Sequence, residues 1–284
     1  PAAQVVSDWI RGDLSDRVLL ASFLAKCSVV TFESEFLDAT LLAELSLGDE
    51  RADIFPQPRL MGLLQDRLSQ KALIAGAKLP TSPYFDVRDE ASARQAWMDL
   101  GGHVVFKKRR YGYDGYGTWV VRTEKDFAKF AKALEEDLGW KERVGFLAER
   151  FIPFRRELAI MIVRSRNGDL VRLPFVETFQ ENSKCLWVKG PLKETARMRS
   201  LAKTAETFLA KVDYVGAMGF ELFETKTGDL LVNELAPRVH NSGHYSLDAL
   251  SVDQFELHVR AVLGLDLPNP APMSKGFAMV NLLG

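Results

Sequence analysis

Residues 219–235 read as a hairpin that carries acidic residues where a cation could sit. If Thr227 and Gly228 are the two central residues of its turn, Glu221 stands directly opposite Glu234 on one face. Carboxylates opposed across a strand pair repel each other. A cation between them removes that cost, and hard oxygen donors suit Mg²⁺ bridging the phosphates of a nucleotide. A slip of one residue in the turn would send the two acids to opposite faces, so an exposed acidic hairpin is the competing reading.

Three further segments could do chemistry. In KKRRYGYDGYGT (residues 107–118), Lys107 ends a strand and a loop follows that holds Gly112, Gly115 and Gly117. Glycines let backbone N–H groups close over phosphate oxygens, and a strand-borne lysine adds a fixed cation. The spacing fits neither GxxxxGK[ST] nor a helix-opening GxGxxG; a glycine-rich hairpin with a basic edge is an equal reading. In NELAPRVHNSGH (residues 233–244), Arg238, His240, Asn241, Ser242 and His244 crowd a loop behind the acidic strand, and loops on a rigid scaffold are where binding groups concentrate. Pro237 and Gly243 oppose a helix there, so His240 and His244 read as substrate contacts rather than metal ligands. His103 and His258 read as structural. In ERFIPFRRE (residues 149–157), Glu149 ends a strand and Glu157 follows an apolar stretch. In an adenosine pocket such a segment supplies backbone groups to the base and a carboxylate to the ribose, although an ordinary linker reads equally well.

The elements that must position these groups follow from periodicity. Helical spacing at 18–25 and a β-branched run at 28–32 make residues 1–55 part of an α/β unit. Residues 55–58 (FPQP) form a break, and 59–75 carry one helical period that ends at Gly76. A helix at 90–100 precedes strands at 103–107 and 118–122, a helix at 126–138, and extended runs at 145–150, 158–164 and 170–177. A long helix at 194–212, the acidic hairpin and a helix at 251–263 complete the order. The class is α/β and α+β, multidomain, with antiparallel hairpins in the second half.

Composition narrows the function. The chain has 284 residues, with 37 Lys+Arg against 38 Asp+Glu. That near balance lacks the basic excess of a nucleic-acid or anionic-membrane binder. The longest apolar stretch, around residues 17–32, is broken by Lys26 and Ser28 and falls short of the about 20 residues that span a bilayer. Cys27 and Cys185 form no CxxC and read as thiols of a reducing cytoplasm. The chain starts at Pro1 without a signal segment and stops in a strand-like VNLLG, so it reads as the middle of something longer.

Taken in order, DRLSQK (66–71), the Lys107 strand with GYDGYG (112–117), GFELF (219–223) and NELAPRVHNSGHYSLDALSVDQFELHVRAV (233–262) resemble the ATP-grasp enzymes. They are most similar to the N5-carboxyaminoimidazole ribonucleotide synthetase family of purine biosynthesis. The resemblance implies an ATP-grasp fold: a partial pre-ATP-grasp Rossmann-like unit (1–58), a linker helix (59–80), a small lobe (81–150), a large lobe (151–264) and the start of a small C-terminal β domain (265–284). It implies ATP and Mg²⁺ as cofactors, 5-aminoimidazole ribonucleotide and bicarbonate as substrates, and a homodimer.

The resemblance also implies roles. Arg67 and Lys107 hold phosphates under a lid of Gly112, Tyr113, Asp114, Gly115, Tyr116, Gly117 and Thr118. Glu149, Arg150, Phe151 and Ile152 line the adenine hinge, with Glu157 on the ribose. Gln180, where a histidine is frequent in the family, is a further nucleotide contact. Glu221 and Glu234 carry Mg²⁺ beside Asn233. Tyr113, Asp114, Arg238, His240 and Asn241 face the ribonucleotide and bicarbonate, approached by Glu33 and Glu35. The family's N-terminal glycine-rich strand–turn and its last C-terminal basic contacts are missing from this sequence, and Tyr111 stands where a glycine is common. A different ATP-grasp carboxylate–amine ligase and a non-catalytic nucleotide-binding module are the alternatives.

Overall fold

The computed structural model describes residues 4–47, 52–112, 116–138, 144–181 and 184–282. The described residues form three sheets. In the first, β1 (Val29–Thr31) pairs parallel with β2 (Asp53–Phe55), flanked by α1 (Arg17–Leu24) and α2 (Ala39–Leu45). Asp16 and Asp38 cap the two helices by accepting from their first free N–H groups. Leu24, Val30, Leu42, Leu45 and Ile54 fill the space between helices and strands.

The helical period at 59–75 divides into α3 (Pro58–Gln65) and α4 (Arg67–Gly76) rather than one helix. Asp66 adopts an extended conformation between them, and its side chain accepts from Leu68 N and Ser69 N. An aspartate that can bond its own downstream amides competes with helix continuation. The break makes Arg67 the first residue of a new helix.

The second sheet has the order β3-β6-β4-β5, all antiparallel, from β3 (Tyr84–Val87), β4 (Val104–Lys108), β5 (Thr118–Val121) and β6 (Phe146–Arg150). α5 (Glu90–Asp99) and α6 (Glu124–Leu138) cover it over a core of Phe106, Phe127, Phe130 and Phe146.

The third sheet runs β12-β11-β7-β9-β10-β13, with β8 beside β7. Its strands are β7 (Phe154–Arg164), β8 (Leu170–Arg172), β9 (Val176–Glu181), β10 (Lys184–Gly190), β11 (Gly216–Thr225), β12 (Leu230–Ala236) and β13 (Phe277–Val280). Leu158, Ile160 and Ile162 of β7 join the core under α7 (Ala196–Lys211), while Ala159, Met161 and Val163 join the opposite core with α9 (Gln254–Leu263). A strand buried on both faces explains an uninterrupted apolar run where a half-exposed strand would alternate. α8 (Ser246–Ala249) leads toward α9. β13 pairs with β10 and widens this sheet. No helix among the described residues is long and apolar enough to cross a membrane.

Candidate active site

The acidic hairpin is built differently from a two-residue turn, yet reaches the expected opposition. Thr225 N–H donates to Asp229 O and Gly228 N–H to Thr225 O, so Lys226, Thr227 and Gly228 form a three-residue loop. Gly228 sits at φ +78°, the left-handed position such loops require. From that loop, pairing runs Glu224↔Leu230, Phe223↔Leu231 and Leu222↔Val232, a register that would set Glu221 against Asn233. Instead it jumps to Glu221↔Glu234. Asn233 is the extra residue of a β-bulge, and a bulge sets two residues of one strand against one of the other. Asn233 and Glu234 therefore both reach the cleft that Glu221 also lines.

That cleft, about 430 Å³, lies between the second and third sheets. Lys107, the penultimate residue of β4, has its Nζ 3.2 Å from Asn233 Oδ1 and 2.7 Å from Glu149 Oε2. Arg67 Nη2 approaches Glu234 Oε2 at 3.6 Å, while the guanidinium donates to Lys108 O (3.1 Å) and Gly112 O (3.3 Å). One turn further along α4, on the same face, Lys71 Nζ lies 2.6 Å from Glu149 Oε1, which also accepts from Ser82 Oγ at 2.6 Å. Burial opposes ionisation of Glu149, but Lys107 and Lys71 overcome it and hold the carboxyl well below the usual carboxylate range. Arg150, Phe151 and Ile152 also line the cleft, and Phe151 stacks on His103 at 3.8 Å.

The opposed acids are driven apart electrostatically. Burial and then the charge of Glu234 push Glu221 up, whereas Arg67 and Lys107 pull Glu234 down against its own burial. Glu221 accepts from Gln180 Nε2 (3.4 Å) and faces His240 Nε2 at 3.2 Å. Burial, reinforced by Arg238, lowers His240 to about 4. Its Nδ1 accepts from Ser242 N, so the neutral ring carries its proton on Nε2, the nitrogen that faces Glu221. Gln254, fully buried, grips the His240 backbone at both ends: Oε1 accepts from its N at 3.0 Å and Nε2 donates to its O at 2.9 Å. Gly243 lets this happen, since a Cβ there would lie 2.5 Å from Gln254 Oε1.

Other expected residues fall elsewhere. Glu157 lies on β7 outside the cleft lining, its carboxyl raised to about 7 by burial. Asn241 also lies outside it, accepting from Asn281 Nδ2 at 2.9 Å. Tyr113, Asp114 and Gly115 lie outside the described residues. Gly112 and Thr118 line the cleft, Tyr116 is exposed, and Gly117 O accepts from Lys108 N. Tyr111 adopts φ +61°, the region that favours glycine. His244 stacks on Phe255, and His258 is structural: its Nδ1 accepts from Ala217 N and its Nε2 faces Thr31 Oγ1. Arg238 binds Glu35 Oε1 at 3.2 Å, and its buried Nε has no hydrogen-bond partner among the described residues. Sequence reasoning assigned no role to Lys71, Ser82 or Gln254; the four-residue spacing from Arg67 was the available signal for Lys71.

A second cavity, about 440 Å³, shares Glu35, Arg67, Gly112 and Glu234 with the first and extends to Gln65, Arg110 and Tyr111. Among the described residues no three His, Cys, Asp or Glu side chains form a metal cluster. Two carboxylates with a neighbouring carboxamide do fit Mg²⁺, which takes one or two carboxylates and completes its shell with phosphate and water.

Residues 72–255 match the ATP-grasp domain. The chain is 40% identical over 286 residues to the N5-carboxyaminoimidazole ribonucleotide synthase of Synechococcus elongatus, covering 100% of this chain and 70% of that protein. It spans about half the length of the curated phosphoribosylaminoimidazole carboxylases it matches. The solved N5-carboxyaminoimidazole synthetase from Staphylococcus aureus complexed with ADP aligns at a TM-score of 0.90 and 29% identity, covering 99% of this chain and 72% of that one. The Aspergillus clavatus synthase in complex with ADP and 5-aminoimidazole ribonucleotide aligns at 0.83 and 26%, covering 94% and 68%.

Proposed function

Because the chain belongs to the ATP-grasp superfamily, and within it to the N5-carboxyaminoimidazole ribonucleotide synthase family, we propose that it carboxylates 5-aminoimidazole ribonucleotide with bicarbonate at the expense of ATP, in purine biosynthesis. The observation that carries this reading is the bulged trio Glu221, Asn233 and Glu234 facing Lys107 and Arg67 across one cleft. A bicarbonate oxygen attacks the γ-phosphorus, releasing ADP and forming carboxyphosphate. The exocyclic amine of the ribonucleotide then attacks the carboxyl carbon, releasing phosphate and leaving the carbamate.

In phosphoryl transfer the protein's task is positioning and charge neutralisation. Lys107 and Arg67 supply fixed cations to the phosphates, and the backbone of residues 149–152 borders the base. Glu221 and Glu234, with Asn233, would hold Mg²⁺, which when bound neutralises phosphate charge. Arg238 offers to the bicarbonate oxygens a buried donor with no partner among the described residues. The second cavity adjoins this point through Glu35 and Glu234 and suits the ribonucleotide. The same reading includes a homodimer, the partition 1–58, 59–80, 81–150, 151–264 and 265–284, and a cytoplasmic setting for two free thiols. ADP release measured with bicarbonate, with and without aminoimidazole ribonucleotide, tests it. Release that ignores the ribonucleotide sinks the ligase reading.

A further inference from the structure

Lys71 has 3% of its side chain exposed and lines neither cavity described above. Its ammonium is fully engaged, with Glu149 Oε1 at 2.6 Å, Thr81 Oγ1 at 2.7 Å, Ser82 Oγ at 3.3 Å and Val232 O at 3.4 Å. The other oxygen of Glu149 holds Lys107 Nζ at 2.7 Å. One carboxylate thus lies between two ammonium groups, and the cluster carries a surplus of one positive charge. Geometry decides where that surplus acts, because Lys107 lines the cleft and Lys71 does not.

With Lys71 neutral, Glu149 and Lys107 would cancel, and the cleft would lose the effect of its strand-borne cation. Holding a charge in so dry a position is expensive, and Thr81 and Ser82 already supply neutral polar groups there. We infer that Lys71 is a positioning residue: it satisfies Glu149 from behind, which leaves the charge of Lys107 available to phosphate oxygens. The contact also ties α4 to the second sheet, through Glu149 of β6, to Ser82 in the segment before β3, and to β12, through Val232. The inference rests on the nucleotide reading of the cleft.

Calorimetric titration of MgADP into the full chain, K71M and K71R tests it, with melting curves to establish folding. Loss of the Lys71 charge is expected to weaken ADP binding by about tenfold in K71M. K71R keeps a cation beside Glu149 and is expected to stay within about threefold of the unaltered chain. Unchanged affinity in K71M, or an equal loss in both variants, overturns the inference. If K71M does not fold, K71Q takes its place: a loss of about tenfold supports the inference and unchanged affinity overturns it. Failure of the unaltered chain to bind MgADP overturns the nucleotide reading instead, so the two failures are distinct.

Discussion

Replacing His258 with asparagine should flatten the acid limb of the stability profile. His258 is 5% exposed on α9 and joins two units, since Ala217 N–H donates to Nδ1 at 2.9 Å and Nε2 lies 2.7 Å from Thr31 Oγ1. Adding a proton at Nδ1 would set two N–H groups against each other in a dry site. Burial accordingly lowers the imidazole to about 4, against an ordinary value near 6.5. As pH falls through 6.5 the unfolded chain takes up a proton that the folded chain refuses until about 4. The unfolded state therefore binds more protons across that window, and stability rises with pH through it. The contribution is complete above pH 6.5 and is lost between 6.5 and 4. From pH 7.5 to 4.5 the loss comes to about 2.5 kcal/mol. Asparagine keeps an acceptor for Ala217 N–H and does not titrate. Melting both chains at the two pH values isolates the histidine, because every other acid titrates in each. The unaltered chain should lose roughly 4 °C more than H258N on acidification, and equal losses would refute the reasoning.

Glu234→Gln should reduce bicarbonate-dependent turnover by at least roughly 100-fold; steady-state ADP release at saturating Mg²⁺ checks it, and near-normal turnover would remove the metal role. Gly243→Ala should cost about 1–3 kcal/mol, because the new methyl collides with Gln254 and Met161; thermal melting reads the cost, and a raised KM for bicarbonate would report the displacement of His240. Arg109→Ala removes two hydrogen bonds to Asp66, at 3.1 and 2.7 Å, and the contact with Asp86. A loss of about 2 kcal/mol is expected in denaturant unfolding, with weaker nucleotide binding because Asp66 caps the helix that begins at Arg67.

Much of the scaffold was legible because its patterns are local. The apolar run of β7 and the long period of α7 are visible in any short window. Counting from a two-residue turn set Glu221 opposite Glu234, and it did so because the longer three-residue loop and the bulge at Asn233 offset one another. The details failed where distant partners decide. β2 and β1 are three residues each and exist only through one another, so neither α2 nor β2 announced itself. β10 was missed because it takes its form from β9 and β13. Asp66 broke a period that continued on both sides of it, as a single capping residue can. The bulge at Asn233 leaves no local trace, since it answers to the fit between two strands. The role of Lys71 depended on Glu149, which lies far along the chain. The glycine loop and the 149–157 segment stayed evenly balanced on residue chemistry alone, and family resemblance supplied their roles.

The bulge has one more consequence, for how such a site can change. In an unbroken ladder, losing a residue between two opposed acids moves one of them to the other face. Here Asn233 is the surplus residue, so excising it alone would let Val232 run straight into Glu234 while Glu221 kept its partner. The hairpin would lose a donor and keep its aim. The number of oxygen donors offered to a cation is thereby separable from their alignment, and a single-codon deletion could alter the first without disturbing the second.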